Sequence, residues 1–220
     1  MISSEAGPKV VLFDFDGTIA ATIEAGVEIF NTIAREHGFV EITKENIPAL
    51  RAKGAREAAH ELHIPSLMLP IVVNKIRNGI KSRIPELAIV SGIKEAIVSL
   101  KKNGWELGIV TSNSKENILA FLKHNDFEIF DYINAGSSIF YKASAIRKII
   151  SENNLSDRKI VFVGDEIRDV IAAKKNNITA IGVTWGINSR AGFEKENADF
   201  IVDTVEELTK ILSDFCEVGA

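Results

Sequence analysis

Two carboxylates, Asp14 and Asp16, close the apolar run Val10-Val11-Leu12-Phe13 and are followed at once by Gly17-Thr18. Side chains of an extended strand alternate with a period of two, so Asp14 and Asp16 are expected on one side of it. Two acids crowded at a strand tip repel each other and lose hydration, a placement relieved by a cation or a shared proton between them. One such carboxylate can attack a phosphorus atom while its neighbour carries the proton. Three further polar sites follow buried-looking stretches: Ser112-Asn113, Lys142 after 137–141, and Asp165 with Glu166 beside it and Asp169 four residues on. Asp14 and Asp165 offer oxygen ligands to a hard divalent ion such as Mg²⁺. Ser112 and nearby backbone N–H groups can hold phosphate oxygens, and Lys142 can set a fixed cation against them. Brought together, these groups are sufficient for metal-assisted hydrolysis of a phosphate ester.

Whether they come together depends on the elements that carry them. The first strand, roughly 9–15, is apolar on both faces, as a buried parallel strand is. A segment with helical patterns alone follows: Ile23, Val27, Phe30, Ile33 and Ala34 recur at helical spacing, and Gly38 reads as the stop. Shorter helices are expected near 44–50, 56–62 and 69–82, punctuated by Pro48, Pro65, Pro70 and Pro85. Ser91 is placed to cap a helix over 92–103. From there strands at 106–110, 131–134, 159–163, 179–183 and 200–202 alternate with helices at 115–124, 143–153 and 168–176. A capping box in 203–207 opens the last helix. The expected architecture is α/β: a Rossmann-like parallel sheet flanked by helices, with an inserted all-helical cap domain. Residues 1–19 and 88–220 form the expected core and 20–87 the cap, hung over the strand tips as a lid.

Composition narrows the partners. Of 220 residues, 46% are hydrophobic and 25% charged, with a formal net charge of -4, so no broad basic field invites nucleic acid. An anionic substrate must then find its positive charge locally. The single cysteine, Cys216, excludes an internal disulfide framework and fits a reducing compartment. The chain has no apolar run long enough for a membrane span and no signal-like start, so a cytoplasmic protein, monomer or homodimer, is expected.

Asp14-Phe15-Asp16-Gly17-Thr18 resembles the first signature of the haloacid dehalogenase superfamily, and Ser112, Lys142 and Asp165 follow in that family's motif order. The resemblance implies a phosphohydrolase. Asp14 would be the nucleophile that forms an aspartyl-phosphate. Asp16 would be general acid and then base, its backbone carbonyl also binding Mg²⁺. Ser112 and Asn113 would bind phosphoryl oxygens with Gly17 and Thr18, Lys142 would neutralise charge, and Asp165 would hold the metal with Asp169 nearby. An acid at position 16 favours phosphoryl transfer over carbon–halogen cleavage. Lys53 and Arg56 fall where related caps select the substrate, here a small phosphorylated metabolite of the phosphoglycolate kind. A mutase, a phosphonate hydrolase using Lys53, and a non-catalytic phosphate-binding protein are the alternatives. The chain departs from the family pattern twice: 19–22 lacks an acid after the first motif, and no proline follows Lys142. Trp185-Gly186-Ile187-Asn188 follows a strand and is placed by position at the border of the site.

Overall fold

The structure is a computed structural model that describes residues 9–136 and 141–217. Six strands form one all-parallel sheet: β1 (Val10–Phe13), β2 (Glu106–Val110), β3 (Tyr132–Asn134), β4 (Ile160–Gly164), β5 (Thr179–Val183) and β6 (Phe200–Val202). Their order is β3-β2-β1-β4-β5-β6. The chain therefore builds outward from β1 on one side, then returns and builds outward from β4 on the other. The crevice beyond the carboxyl ends of β1 and β4, where the order reverses, is where such sheets bind ligands.

The alternation of β1 assigns its side chains to two cores. Val11 and Phe13 pack with α5 (Ile93–Lys102), α6 (Lys115–His124) and α10 (Val205–Glu217). Val10 and Leu12 pack with α7 (Lys142–Glu152), α8 (Ile167–Lys174) and α9 (Arg190–Lys195). Asp14 continues the even series, so it faces the layer of α7 and α8. Phe15 belongs to the other core and meets Phe121 edge-on at 5.0 Å, a favourable aromatic geometry.

Between β1 and α5 the described chain is helical: α1 (Ile23–His37), α2 (Ile47–Arg51), α3 (Ala55–Glu61), α4 (Leu69–Arg83) and a short 3₁₀ turn at Ile84–Glu86. These helices share their own core of Phe30, Ile33, Leu50, Leu62 and Val72. The outgoing and returning chains run side by side, with Ala21 N–H donating to Ala88 O (2.9 Å) and Val90 N–H to Ile19 O (2.8 Å). Gly38 ends α1 in the left-handed region (φ 72°), as expected.

Several expectations are corrected. β1 ends at Phe13, because the carbonyl of Phe15 already accepts from the N–H groups of Ile19 and Ala20 and turns the chain. The N-cap of α5 is Gly92 in the left-handed region, with no side-chain cap from Ser91. The helix expected from 143 starts at Lys142. The six-residue α9 was not predicted, since it is too short for a periodic pattern. The capping box of α10 forms one residue out of register: Thr204 Oγ1 accepts from Glu207 N–H (3.2 Å), and the Glu207 carboxylate accepts from Asp203 N–H (2.8 Å). Residues 137–140, read as the approach to Lys142, lie outside the described residues.

Candidate active site

Four loops meet at the switch point of the sheet. Asp14 leaves β1 with its N–H still bonded to Val163 O (2.8 Å), so its carboxylate is placed by the sheet itself. Oδ1 accepts from Phe15 N–H (2.7 Å), and Oδ2 lies 2.6 Å from Lys142 Nζ. Lys142, the first residue of α7, also reaches Asp169 Oδ1 at 2.5 Å and sits over the ring of Phe162 at 5.6 Å. Asp169 in turn completes a reciprocal capping box with Glu166 at the start of α8, its Oδ2 accepting from Glu166 N–H (3.1 Å). Asp14, Lys142, Asp165 and Asp169 are 0–4% exposed. A buried ammonium clamped between two carboxylates is held, where an unpaired one would be expelled.

Asp165 follows β4 and is fixed on both oxygens. Thr18 Oγ1 donates to Oδ1 (2.9 Å) and Ile187 N–H to Oδ2 (2.8 Å). The backbone closes tightly round it. A Cβ on Gly17, itself at φ +79°, would stand 2.2 Å from Asp165 Oδ2, as would one on Gly186, so both positions need the missing side chain.

Asp16 parts from Asp14. The turn over 16–20 breaks the expected alternation, and the Asp16 carboxylate faces the loop after β2, where Asn113 Nδ2 approaches its two oxygens at 3.3 and 3.4 Å. Asn113 Oδ1 is held by Ser114 N–H and Asn117 Nδ2 (2.8 Å each), which orients its amide. Ser112 is half-buried beside it, and its carbonyl accepts from Arg77 of α4. Ser114 caps α6, taking Asn117 N–H at 3.3 Å.

Burial sets the electrostatics. It pushes Asp16 up to about 7, helped by the charge of Asp14 and only partly opposed by Asn113 and Lys142. It raises Asp165 well above the usual carboxylate range, with Asp14, Glu166 and Asp169 adding to the effect. Asp169 is raised to about 7, again by burial first, against the pull of Lys142. Burial also works against the charge of Lys142, but Asp14 and Asp169 outweigh it and hold its pKa up.

Lys142 is one cation against three clustered acids, Asp14, Asp165 and Asp169. Asp14, Asp165 and Asp169 each offer an oxygen, all within 4.8 Å of one another, and both Asp165 oxygens receive neutral donors. An all-oxygen, anionic, buried set of this kind fits a hard divalent cation.

Of the remaining predicted residues, Gly17 and Thr18 pack on Asp165, and Lys53 and Arg56 lie on the helical insert. Thr18 is fully buried with its hydroxyl on Asp165. Lys53 forms an ion pair with Glu61 of α3, and Arg56 is exposed on α3. The 185–188 loop does border the site, through Ile187. Asn188, placed at the border by position alone, is 3% exposed, and two further participants carried no sequence signal: Arg77, and Arg51, whose guanidinium is spent on carbonyls of the 184–187 loop.

Comparison with known proteins gives the family. A phosphoglycolate phosphatase from Synechococcus elongatus is 27% identical over 206 residues, covering 93% of this chain and 97% of that protein. Pyrophosphatase PpaX from Bacillus cereus is 22% identical over 211 residues, covering 94% and 97%. A structure described as a predicted phosphatase, from Clostridium acetobutylicum, superposes with a TM-score of 0.76 at 26% identity, covering 94% of this chain and 99% of that one. The model of the haloacid dehalogenase-like hydrolases matches residues 11–183, the stretch that carries Asp14, Asp16, Ser112, Lys142, Asp165 and Asp169. The chain belongs to the haloacid dehalogenase-like hydrolase family.

Proposed function

We propose that the protein is a Mg²⁺-dependent phosphomonoester hydrolase that works through an aspartyl-phosphate on Asp14 and takes a small, phosphoglycolate-like substrate. The observation that carries this reading is the Asp14 carboxylate, with one oxygen anchored by Phe15 N–H and the other against Lys142, beside Asp165 and Asp169. The phosphoglycolate phosphatase relative supports the substrate class.

In the first half-reaction an Asp14 oxygen bonds to phosphorus as the ester P–O bond breaks. Asp16, raised to about 7 and so able to hold a proton near neutrality, protonates the departing alkoxide. In the second, Asp16 takes a proton from water, whose oxygen bonds to phosphorus as the bond to Asp14 breaks. Inorganic phosphate leaves and both carboxyl groups are restored. Ser112 and Asn113 hold phosphoryl oxygens, and Lys142 keeps Asp14 oriented. Asp14, Asp165 and the Asp16 carbonyl would hold Mg²⁺, with Asp169 alongside; the ion supplies charge neutralisation for the transferred group. Residues 20–87 act as a cap over a core of 1–19 and 88–220, and Arg77 brings a cation from the cap to the Ser112 loop.

A panel of p-nitrophenyl phosphate, phosphoglycolate, sugar phosphates, nucleotides and pyrophosphate, each with Mg²⁺ and with EDTA, tests the reading. Hydrolysis of monoesters that stops with EDTA and with Asp14→Asn is expected. Turnover of pyrophosphate alone would move the substrate toward that of the Bacillus cereus relative. No turnover of any of them would remove the enzymatic reading.

A further inference from the structure

We infer that Arg51 and Asn188 are positioning residues for Asp165: the helical insert, docked on the loop after β5, aims the backbone N–H groups that hold the carboxylate and the main-chain oxygen of this residue. The inference rests on the metal-assisted reading above and extends it to residues outside the site.

Arg51 ends α2. Its Nε donates to Ile187 O (3.1 Å), and its Nη2 donates to Thr184 O (2.5 Å) and Gly186 O (3.1 Å). In a trans peptide the C=O and N–H point in opposite directions. A guanidinium that draws the Gly186 carbonyl to one side therefore turns the Ile187 N–H to the other, where it meets Asp165 Oδ2 at 2.8 Å. The next peptide repeats the arrangement: Ile187 O faces Arg51, and Asn188 N–H meets Asp165 O at 2.9 Å. Two successive peptide planes thus stand between Arg51 and Asp165, with oxygens toward the cap and hydrogens toward the acid. Gly186 permits the approach, since a Cβ there would fall 2.2 Å from Asp165.

Asn188 locks the other end. Its Nδ2 donates to Arg51 O (3.0 Å) and Lys53 O (2.9 Å), and its Oδ1 accepts from Ile167 N–H (2.9 Å), the first residue of α8. Ser189 N–H adds a bond to Arg51 O at 2.8 Å. A planar fork with several fixed donors suits this task, and a lysine could meet only part of it. Groups that orient a metal ligand change metal affinity when they are removed. Because coupling is reciprocal, cation binding at Asp165 should also tighten the docking of the insert.

The test is calorimetric titration of Mg²⁺ into the full-length wild type, Arg51→Met and Arg51→Lys, with steady-state kinetics at several Mg²⁺ concentrations. Arg83→Met, which removes only an exposed pair with Glu28, is the control. The expected result is Mg²⁺ affinity about tenfold or more weaker in Arg51→Met, intermediate in Arg51→Lys and unchanged in Arg83→Met. Activity lost by Arg51→Met at low Mg²⁺ should return as Mg²⁺ is raised, with KM for the ester little changed. A role in fold alone would leave the Mg²⁺ affinity of the folded variant at the wild-type value. If Arg51→Met does not fold, Arg51→Lys decides. Wild-type affinity in the folded Arg51 variants overturns the inference and leaves the proposed reaction standing. A wild type that binds no Mg²⁺ overturns both.

Discussion

Thr18 and Asp165, 147 residues apart in the chain, are joined by a hydrogen bond of 2.9 Å from Thr18 Oγ1 to Asp165 Oδ1, both side chains fully buried. The bond ties the turn after β1 to the tip of β4 across the switch point of the sheet. Thr18→Val keeps the shape and removes the donor, leaving a buried carboxylate oxygen short of a partner. That costs about 1–3 kcal/mol. Urea unfolding should show a lower midpoint with an unchanged slope, and Mg²⁺ should bind more weakly. An unchanged midpoint and affinity would show that Thr18 does not position Asp165.

Lys142 is the cation shared by Asp14 and Asp169. Lys142→Met leaves two buried carboxylates without it, a loss of about 3–5 kcal/mol for breaking a buried pair. The variant should be inactive on any ester the wild type hydrolyses. Its destabilisation should be larger at pH 8 than at pH 5, because protonation relieves the repulsion left behind. Equal loss at both pH values would argue that packing against Phe162, not charge, is what Lys142 contributes.

Asp165 and Asp169 have folded-state pKa values raised above the ordinary carboxylate value, Asp169 to about 7. Between about 4 and 7 the folded protein then holds protons that the unfolded chain has released, so stability falls as pH rises through that window. In EDTA the Tm should be higher at pH 5.5 than at pH 8. Cation binding needs the deprotonated acids, so the rise in Tm on adding Mg²⁺ should be larger at pH 8. Scanning calorimetry at the two pH values, with and without Mg²⁺, checks both signs.

Asp16 is raised to about 7 by burial and by the charge of Asp14. As the donor of a proton to the leaving group it must be protonated at the start, so kcat should fall as pH rises through its pKa. Asp16→Asn should lower kcat by about 10²–10⁴-fold and remove that alkaline limb. Stability should change little or rise, since a partly buried charge is lost. A variant that keeps both its rate and its pH profile would take Asp16 out of proton transfer.

Much of the frame was legible because it depends on local patterns. Runs such as Val10–Phe13 and Ile160–Val163 are apolar on both faces, which only a strand covered on two sides tolerates. The helical rhythm of α1, closed by Gly38, needs no partner to be read. Asp14 and Asp165 stand at the ends of such runs, so their arrival at one edge of a parallel sheet was foreseeable. The acid pair was read too simply. Period-two alternation carries Asp14 toward Lys142 and Phe15 to the opposite core, but it holds only while the chain stays extended, and the turn over 16–20 sends Asp16 toward Asn113. Asp169, expected merely nearby, is bound to Lys142 because α7 and α8 pack on the face that the even residues of β1 present.

Sequence alone determined the order of the elements, the strand tips that bear acids, and the family these residues resemble, since each follows from composition and spacing along a short stretch. Only the tertiary structure decided which acids share a cation, that Thr18 serves Asp165, that Arg51 takes part at all, and that Asn188 ties the insert to α8. Those outcomes depend on groups distant in the chain, up to 147 residues apart for Thr18 and Asp165, meeting at hydrogen-bond distance. Arg51 acts through the peptide planes of another loop, and backbone carbonyls leave no signature in side-chain identity.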